Sequence, residues 1–233
     1  MSGRVGSITT DIIADGLVFN MDAANRACYP KTGTTATDTI GNVNGTLTNG
    51  VSFSDNNNGT FELDGTNDYI ACQSLVIPSF VSLNAWCRPD TVSSAQMIAT
   101  ADDSADNDRS WQFRIDSDSK PRILLFYNND STNESTIGTT SISADTWVNI
   151  CATYDNVNLN IYINGVLDGT TSLSGGAIND SGATGDFAIG TRKTSTGGDD
   201  FFNGEIANVQ VYNRGLSSTE VLYNYNALKS RFE

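Results

Sequence analysis

The segment Asp145-Thr-Trp-Val-Asn-Ile-Cys-Ala-Thr-Tyr-Asp-Asn-Val-Asn-Leu-Asn-Ile-Tyr-Ile-Asn-Gly-Val-Leu-Asp168 constrains the fold more than any other part of the chain. It predicts three short strands. The first runs from Trp147 to Tyr154, and Asp155-Asn156 turns the chain back. In the second, Leu159, Ile161 and Ile163 alternate with Asn158, Asn160 and Tyr162, the period of two that marks a half-buried strand. Asn164-Gly165 then supplies both residues of a tight hairpin, because each tolerates a positive φ. The third strand begins at Val166.

The same alternation recurs along the chain. Strands are expected at Asp15–Asp22, Thr46–Leu47, Val51–Phe53, Thr60–Asp64, Asp68–Ala71, Val81–Arg88, Met97–Thr100, Trp111–Ile115, Ile123–Tyr127, Phe187–Gly190 and Glu205–Tyr212. Turn residues separate them, as in a sandwich of antiparallel sheets. One helix is expected. Ser217-Ser-Thr-Glu220 is a capping box, and Val221, Leu222, Tyr225 and Leu228 mark one helical face after it. No composition break divides the chain. Residues 1–11 read as a polar arm and residues 12–233 as one domain, a length that all-β domains often reach.

Composition narrows the function. The 233 residues carry a net charge of −14, so nothing is available to neutralise phosphates; nucleic acid and anionic membranes are excluded as partners. There is no His, which removes the imidazole bases, the Ser-His-Asp triad and most zinc sites. Residues 1–10 lack the apolar core of an export signal, and no segment has the length of a membrane span. The four cysteines, at 28, 72, 87 and 151, form no C-x-x-C and are read as reduced thiols packed like small apolar residues.

Several motifs, in order, resemble one family. The Trp147–Gly165 pattern is joined by Gly16-Leu-Val-Phe-Asn-Met-Asp-Ala-Ala-Asn25 with Tyr29-Pro30 and Gly33-Thr34. Phe61-Glu-Leu-Asp-Gly-Thr-Asn-Asp-Tyr-Ile70, the Val81–Pro89 strand and Phe202-Asn-Gly-Glu-Ile-Ala-Asn-Val-Gln-Val-Tyr-Asn-Arg-Gly-Leu-Ser217 complete the set. Together they resemble the laminin G-like domains of the concanavalin A-like lectin/glucanase superfamily, over residues 15–228. The resemblance implies an all-β, antiparallel jelly-roll sandwich with one short C-terminal helix. Ala207 stands where the family usually has Asp, and Val148-Asn149 where it usually has two histidines; at these positions the chain departs from the family's pattern, and neither an ion role nor a packing role is carried over from the resemblance.

The opening motif resembles domains common in tailed-phage virion proteins. It implies a non-enzymatic virion-surface protein, a capsid decoration or tail appendage subunit made in the host cytoplasm. Its partners would be other virion proteins, with the subunit a homo-oligomer on the particle. The arm, with Arg4, Val5 and Ile8, is the candidate for attachment. The alternative is a receptor-recognition module that binds a host-surface glycan; a glucanase is the remaining one.

Four sets of residues carry candidate chemistry. Asp102, Asp103, Asp106 and Asp108 crowd one loop, where a Ca²⁺ ion would relieve their repulsion; a plain solvated loop is the alternative. Asp199-Asp200 is a smaller version. Trp111, just after that loop, is the candidate for stacking on a sugar ring, with Asp106 and Asp108 as hydrogen-bonding neighbours; packing in the core is the alternative. Trp86 and Trp147 are expected in the core. Glu62-Leu-Asp64 resembles the catalytic E-x-D-x-E strand of glucanases, but Thr66 replaces the third carboxylate, and a strand ending in an Asp-Gly turn explains it as well. Asp22, Asp64 and Asp68 are also read as turn-fixing residues.

Overall fold

A computed structural model describes residues 12–41, 43–72, 75, 80–103, 108–127, 132–173, 176–178, 187–193 and 197–233. In chain order the strands are β1 (Leu17–Asp22), β2 (Thr35–Ala36), β3 (Gly45–Thr48), β4 (Ser52–Ser54), β5 (Thr60–Asp64) and β6 (Tyr69–Cys72). Then come β7 (Val81–Pro89), β8 (Gln96–Asp103), β9 (Asp108–Ile115), β10 (Pro121–Tyr127) and β11 (Thr132–Ile137). The last are β12 (Val148–Tyr154), β13 (Asn158–Ile163), β14 (Val166–Ser172), β15 (Phe187–Ile189) and β16 (Asn203–Tyr212), before helix α1 (Ser218–Leu228).

Two eight-stranded antiparallel sheets result. The first runs β14-β13-β12-β7-β16-β5-β4, with β1 also paired to β16; the second runs β11-β10-β9-β8-β15-β6-β3-β2. The expected all-β sandwich with one C-terminal helix is what forms. The central hairpin behaves as its residues dictate: Asn164 and Gly165 sit at φ 51° and 77°, so both turn residues are left-handed, and Asn156 turns the preceding loop at φ 80°. The expected strands all form, with ends shifted by a few residues, and two strands are additional. β2 is two residues long, and β11 (Thr-Asn-Glu-Ser-Thr-Ile) has too little apolar alternation to be read as a strand; its pairing with β10 supplies what its side chains do not announce.

The core lies between the sheets. Phe19, Leu83, Ile150, Ile161 and Val209 face Ile98, Trp111, Phe113, Ile123, Leu125 and Phe187, all buried in one cluster. Phe19 of the first sheet meets Phe187 of the second edge-on, with ring centroids 4.8 Å apart. All four cysteines are buried and free, as expected of packed thiols. Burial pushes the thiols of Cys28 and Cys87 up to about 12.

The outer face of the first sheet is covered too. Ser217 caps α1 by accepting from the Glu220 N–H, and the Glu220 carboxylate reaches back to the Ser217 N–H at 2.8 Å, the expected capping box. The helix turns Val221, Asn224 and Leu228 inward. Leu222, expected on that face, points out instead, and Asn224 takes an inward place, donating to the Tyr212 hydroxyl at 3.0 Å. The sheet face beneath combines apolar side chains, among them Cys151, Tyr162, Tyr212, Trp86 and Ala207, with a row of amides. Asn149 donates to Asn84 (3.0 Å), Asn84 to Gln210 (2.9 Å), Gln210 to Asn20 (3.3 Å) and Asn20 to Thr39 (2.7 Å). The amides of Asn84, Gln210 and Asn20 each accept from one neighbour and donate to the next, so a one-directional chain crosses β12, β7, β16 and β1. Asn149, at a position where the resembled family has histidine, begins this chain.

Beyond the helix, Trp86 stacks on Phe232 at 4.2 Å and on Tyr225 at 5.5 Å. Trp86 is therefore buried, though under the helix rather than between the sheets. Buried Arg231 completes this cover, with Nη1 3.0 Å from Asp22 Oδ2 and Nη2 on the Gly59 carbonyl. Burial pushes the Asp22 carboxyl above its ordinary value against the pull of Arg231.

Candidate functional site

The polar row that ends in an open groove is built by strand register. Ser52 pairs with Glu62, Glu62 with Glu205, and Glu205 with Arg88, across β4, β5, β16 and β7. Directly opposed residues share a face, so the four side chains stand in line on the outer face of the first sheet. Phe61 and Leu63, one residue either side of Glu62, point into the core. Two glutamates face to face would repel, and each has a partner that offsets this. The Ser52 hydroxyl donates to Glu62 at 2.7 Å; the Thr60 hydroxyl donates to Glu205 at 2.6 Å, and Arg88 lies 3.2 Å from its other oxygen. Arg88 also holds Asp90 at 2.8 Å and Asp145 at 3.4 Å.

This row floors a groove of about 530 Å³, walled by Asp64, Asp68, Asp90, Gly50 and Gly204. Gly204 is required: at φ 137° it brings the chain so close to β7 that a Cβ would lie 2.2 Å from the Arg88 carbonyl oxygen. Asp64 and Asp68 act as turn-fixing residues. Asp64 Oδ1 accepts from the N–H groups of Thr66 (2.8 Å) and Asn67 (3.2 Å), and those bonds hold its carboxyl below the usual range. Asp68 accepts from Gly50 N–H at 2.6 Å and Asp64 N–H at 3.3 Å. Asp22 does the same for Ala24 N–H at 3.0 Å. Glu62 and Asp64 therefore share a face and differ in role. Glu62 opens to the groove, whereas Asp64 closes its own Asp-Gly turn.

The other candidates fare differently. Trp111 is 0% exposed and packs edge-on against Phe187 at 5.8 Å. Its ring lies in the inter-sheet core and cannot stack on a sugar. Asp102 is not in a loop. It lies in β8, 0% exposed, with Gln112 donating to Oδ2 at 2.6 Å, so it is not a loop ligand for Ca²⁺. Asp103 and Asp108 pair across the ends of β8 and β9; their side chains, and Asp106 altogether, lie outside the described residues, as do Arg4, Val5 and Ile8. Asp199 is engaged by Arg192 through two bonds. No group of three or more His, Cys, Asp or Glu among the described residues is arranged to hold a metal ion. Trp147, expected in the core, is half-buried at the molecule's edge, 4.7 Å from Phe232.

Glu205, Arg88 and Ser52 are groove residues that motif reasoning passed over. Alternation places each on an outer face; what brings them beside Glu62 is long-range pairing, which no local pattern encodes.

The fold is that of a lectin-like sandwich. Residues 64–222 match the laminin G family model of the concanavalin A-like lectin/glucanases superfamily, and the chain belongs to that superfamily. No relative among the curated proteins matches it. Among solved structures it is similar to the botulinum neurotoxin type G receptor binding domain, at 22% identity and a TM-score of 0.67 over 91% of this chain and 51% of that one. The botulinum neurotoxin serotype D ligand binding domain in complex with N-acetylneuraminic acid gives 16% and 0.68, over 95% and 52%. Domain 4 of AbnA, a GH43 extracellular arabinanase from Geobacillus stearothermophilus, in complex with arabinotriose, gives 18% and 0.62, over 91% and 98%. The chain spans about half the length of the toxin domains and nearly all of the arabinanase domain. At these identities the likeness establishes the fold.

Proposed function

We propose that this domain is a non-catalytic module that binds neutral glycans in the groove over β4, β5, β16 and β7. The observation that carries the reading is the Ser52–Glu62–Glu205–Arg88 row, in which Ser52, Glu62 and Arg88 reach the groove and buried Glu205 holds Arg88 in place. Carboxylates accept from sugar hydroxyls, and the arginine donates to ring or hydroxyl oxygens. Five carboxylates against one arginine, on a chain of net charge −14, repel sialylated, sulfated or uronic chains. Family membership, and sugar-bound relatives of the same fold, support a glycan over a protein ligand. Binding to a glycan array is the test. Neutral oligosaccharides should be retained, and Glu62→Gln and Glu205→Gln should weaken them; preference for acidic glycans, or indifference to both substitutions, overturns the reading.

The non-catalytic part rests on the side chains themselves. Glu205 is engaged by Arg88 and Thr60, Asp64 is spent on its turn, Asp68 accepts from the Gly50 and Asp64 N–H groups and Asp90 pairs with Arg88, so each other carboxylate lining the groove is already committed. Reducing sugar released from β-glucans by the wild type and not by Glu62→Gln would defeat it. The setting we propose is a tailed-phage particle, on the strength of the opening Gly16–Thr34 motif, with attachment through residues 1–11. Protein lacking those residues should fold and fail to sediment with particles.

A further inference from the structure

A second recess, about 150 Å³, shares no lining residue with the groove. One ion pair links the two regions: Arg88 lines the groove and pairs with Asp145, whose N–H bonds the Pro89 carbonyl at 2.8 Å, and Thr146 and Trp147, which line the recess, follow in the chain. The recess has an apolar floor, from buried Ile142 and Val148 and the half-buried indole of Trp147. Its rim is neutral and hydrogen-bonding, with Ser141 and Ser143 exposed and Asn164 opposite. No charged residue lines it among the described residues.

The recess is held in shape from three sides. The Asp168 carboxylate accepts from the N–H groups of Thr139 (2.8 Å) and Thr140 (3.1 Å), fixing the start of the rim. Burial pushes that carboxyl up, but the bonds from Thr140 and Thr139 outweigh it, and it titrates below its ordinary value. Asn164 and Asn149 exchange two bonds of 2.9 Å each. Phe232 backs the indole. A preformed recess loses little entropy when filled.

An aromatic floor with a hydroxyl and amide rim matches a sugar ring, which has an apolar C–H face and hydroxyls at its edge. The volume is below the ~300–1,000 Å³ of drug-sized sites, so it admits one ring. We infer that this recess is a second subsite for a single neutral monosaccharide unit, stacked on Trp147 and hydrogen-bonded by Ser141 and Ser143. It extends the glycan-binding reading of the groove and stands on separate residues.

The experiment uses the full chain and its tryptophan fluorescence. Trp86 and Trp111 are buried, so Trp147 is the indole a sugar reaches. Methyl glycosides of glucose, galactose, mannose and arabinose are titrated at millimolar concentrations against wild type, Ser143→Arg and Glu62→Gln. Ser143 is exposed, so an arginine there fills the rim without disturbing the core. At least one glycoside should give a saturable emission change, weakened about tenfold or more in Ser143→Arg and unaltered in Glu62→Gln. No saturable change with any glycoside, or a change kept in Ser143→Arg and lost in Glu62→Gln, overturns the subsite. The groove fails separately, if oligosaccharides bind wild type and Glu62→Gln equally well.

Discussion

On its inner face the first sheet presents Leu83, Ile150, Ile161 and Val209 to the second sheet; on its outer face the same strands carry the buried amides Asn84, Asn149 and Gln210 beside Tyr162, which packs with Val221 of helix α1. Both faces are buried, yet they are held by different physics. The inner one is apolar and close-packed, and its stability comes from area removed from water. The outer one packs apolar side chains such as Tyr212 and Trp86 under the helix and, in addition, keeps amides in line through directional bonds, each contributing little net but costly to break. Where the helix ends, the outer face opens to solvent as the groove. The groups that line the groove thus belong to the face that carries the polar row.

The comparison is broken most forcefully from the inner side. Trp111→Ala should destabilise the fold by ~3–5 kcal/mol, because it empties a fully buried site between the sheets. Chemical denaturation measures it; a change within error would place the indole outside the core. Next comes the outer ladder. Asn84→Ala takes away the donor to Gln210 and one acceptor of Asn149, and should cost ~1–3 kcal/mol by the same measurement, less than the inner substitution.

A smaller effect lies at the helix cap. Arg214, before any other group, holds the Glu220 carboxyl at about 2, below its ordinary 4.5. A lowered carboxyl stabilises the fold above pH 4.5, and that contribution is lost as pH falls toward 2. The pair is partly exposed, so the contribution is below ~1 kcal/mol. Wild type should melt higher than Glu220→Gln at about pH 6, and the gap should close near pH 2. The last expected effect is on reactivity alone. With their thiols buried, Cys28 and Cys87 should resist iodoacetamide at about pH 8 in the native protein and react once it unfolds. Rapid native labelling of either would mean that its face is not closed.

Local chemistry by itself determined a good deal of this protein. Leu159, Ile161 and Ile163 had to share one side of a strand, Asn164-Gly165 had to turn tightly, and Ser217 with Glu220 had to start a helix, since these are relations within a few residues. The turn-fixing parts played by Asp22, Asp64 and Asp68 are local in the same way. Period two separates a strand's faces, but it does not say what covers each one. Trp111 and Trp147 both read as strand tryptophans; packing buried the first on Phe187 and left the second at a rim with Phe232 behind it. Asp102 read as a loop acid, and β8 ran on far enough to enclose it. The groove depended on tertiary structure throughout, for Ser52, Glu62, Glu205 and Arg88 come together only when four strands pair in register. Pairing between strands far apart in the chain is decided by the whole buried surface at once, and no short stretch of residues contains it.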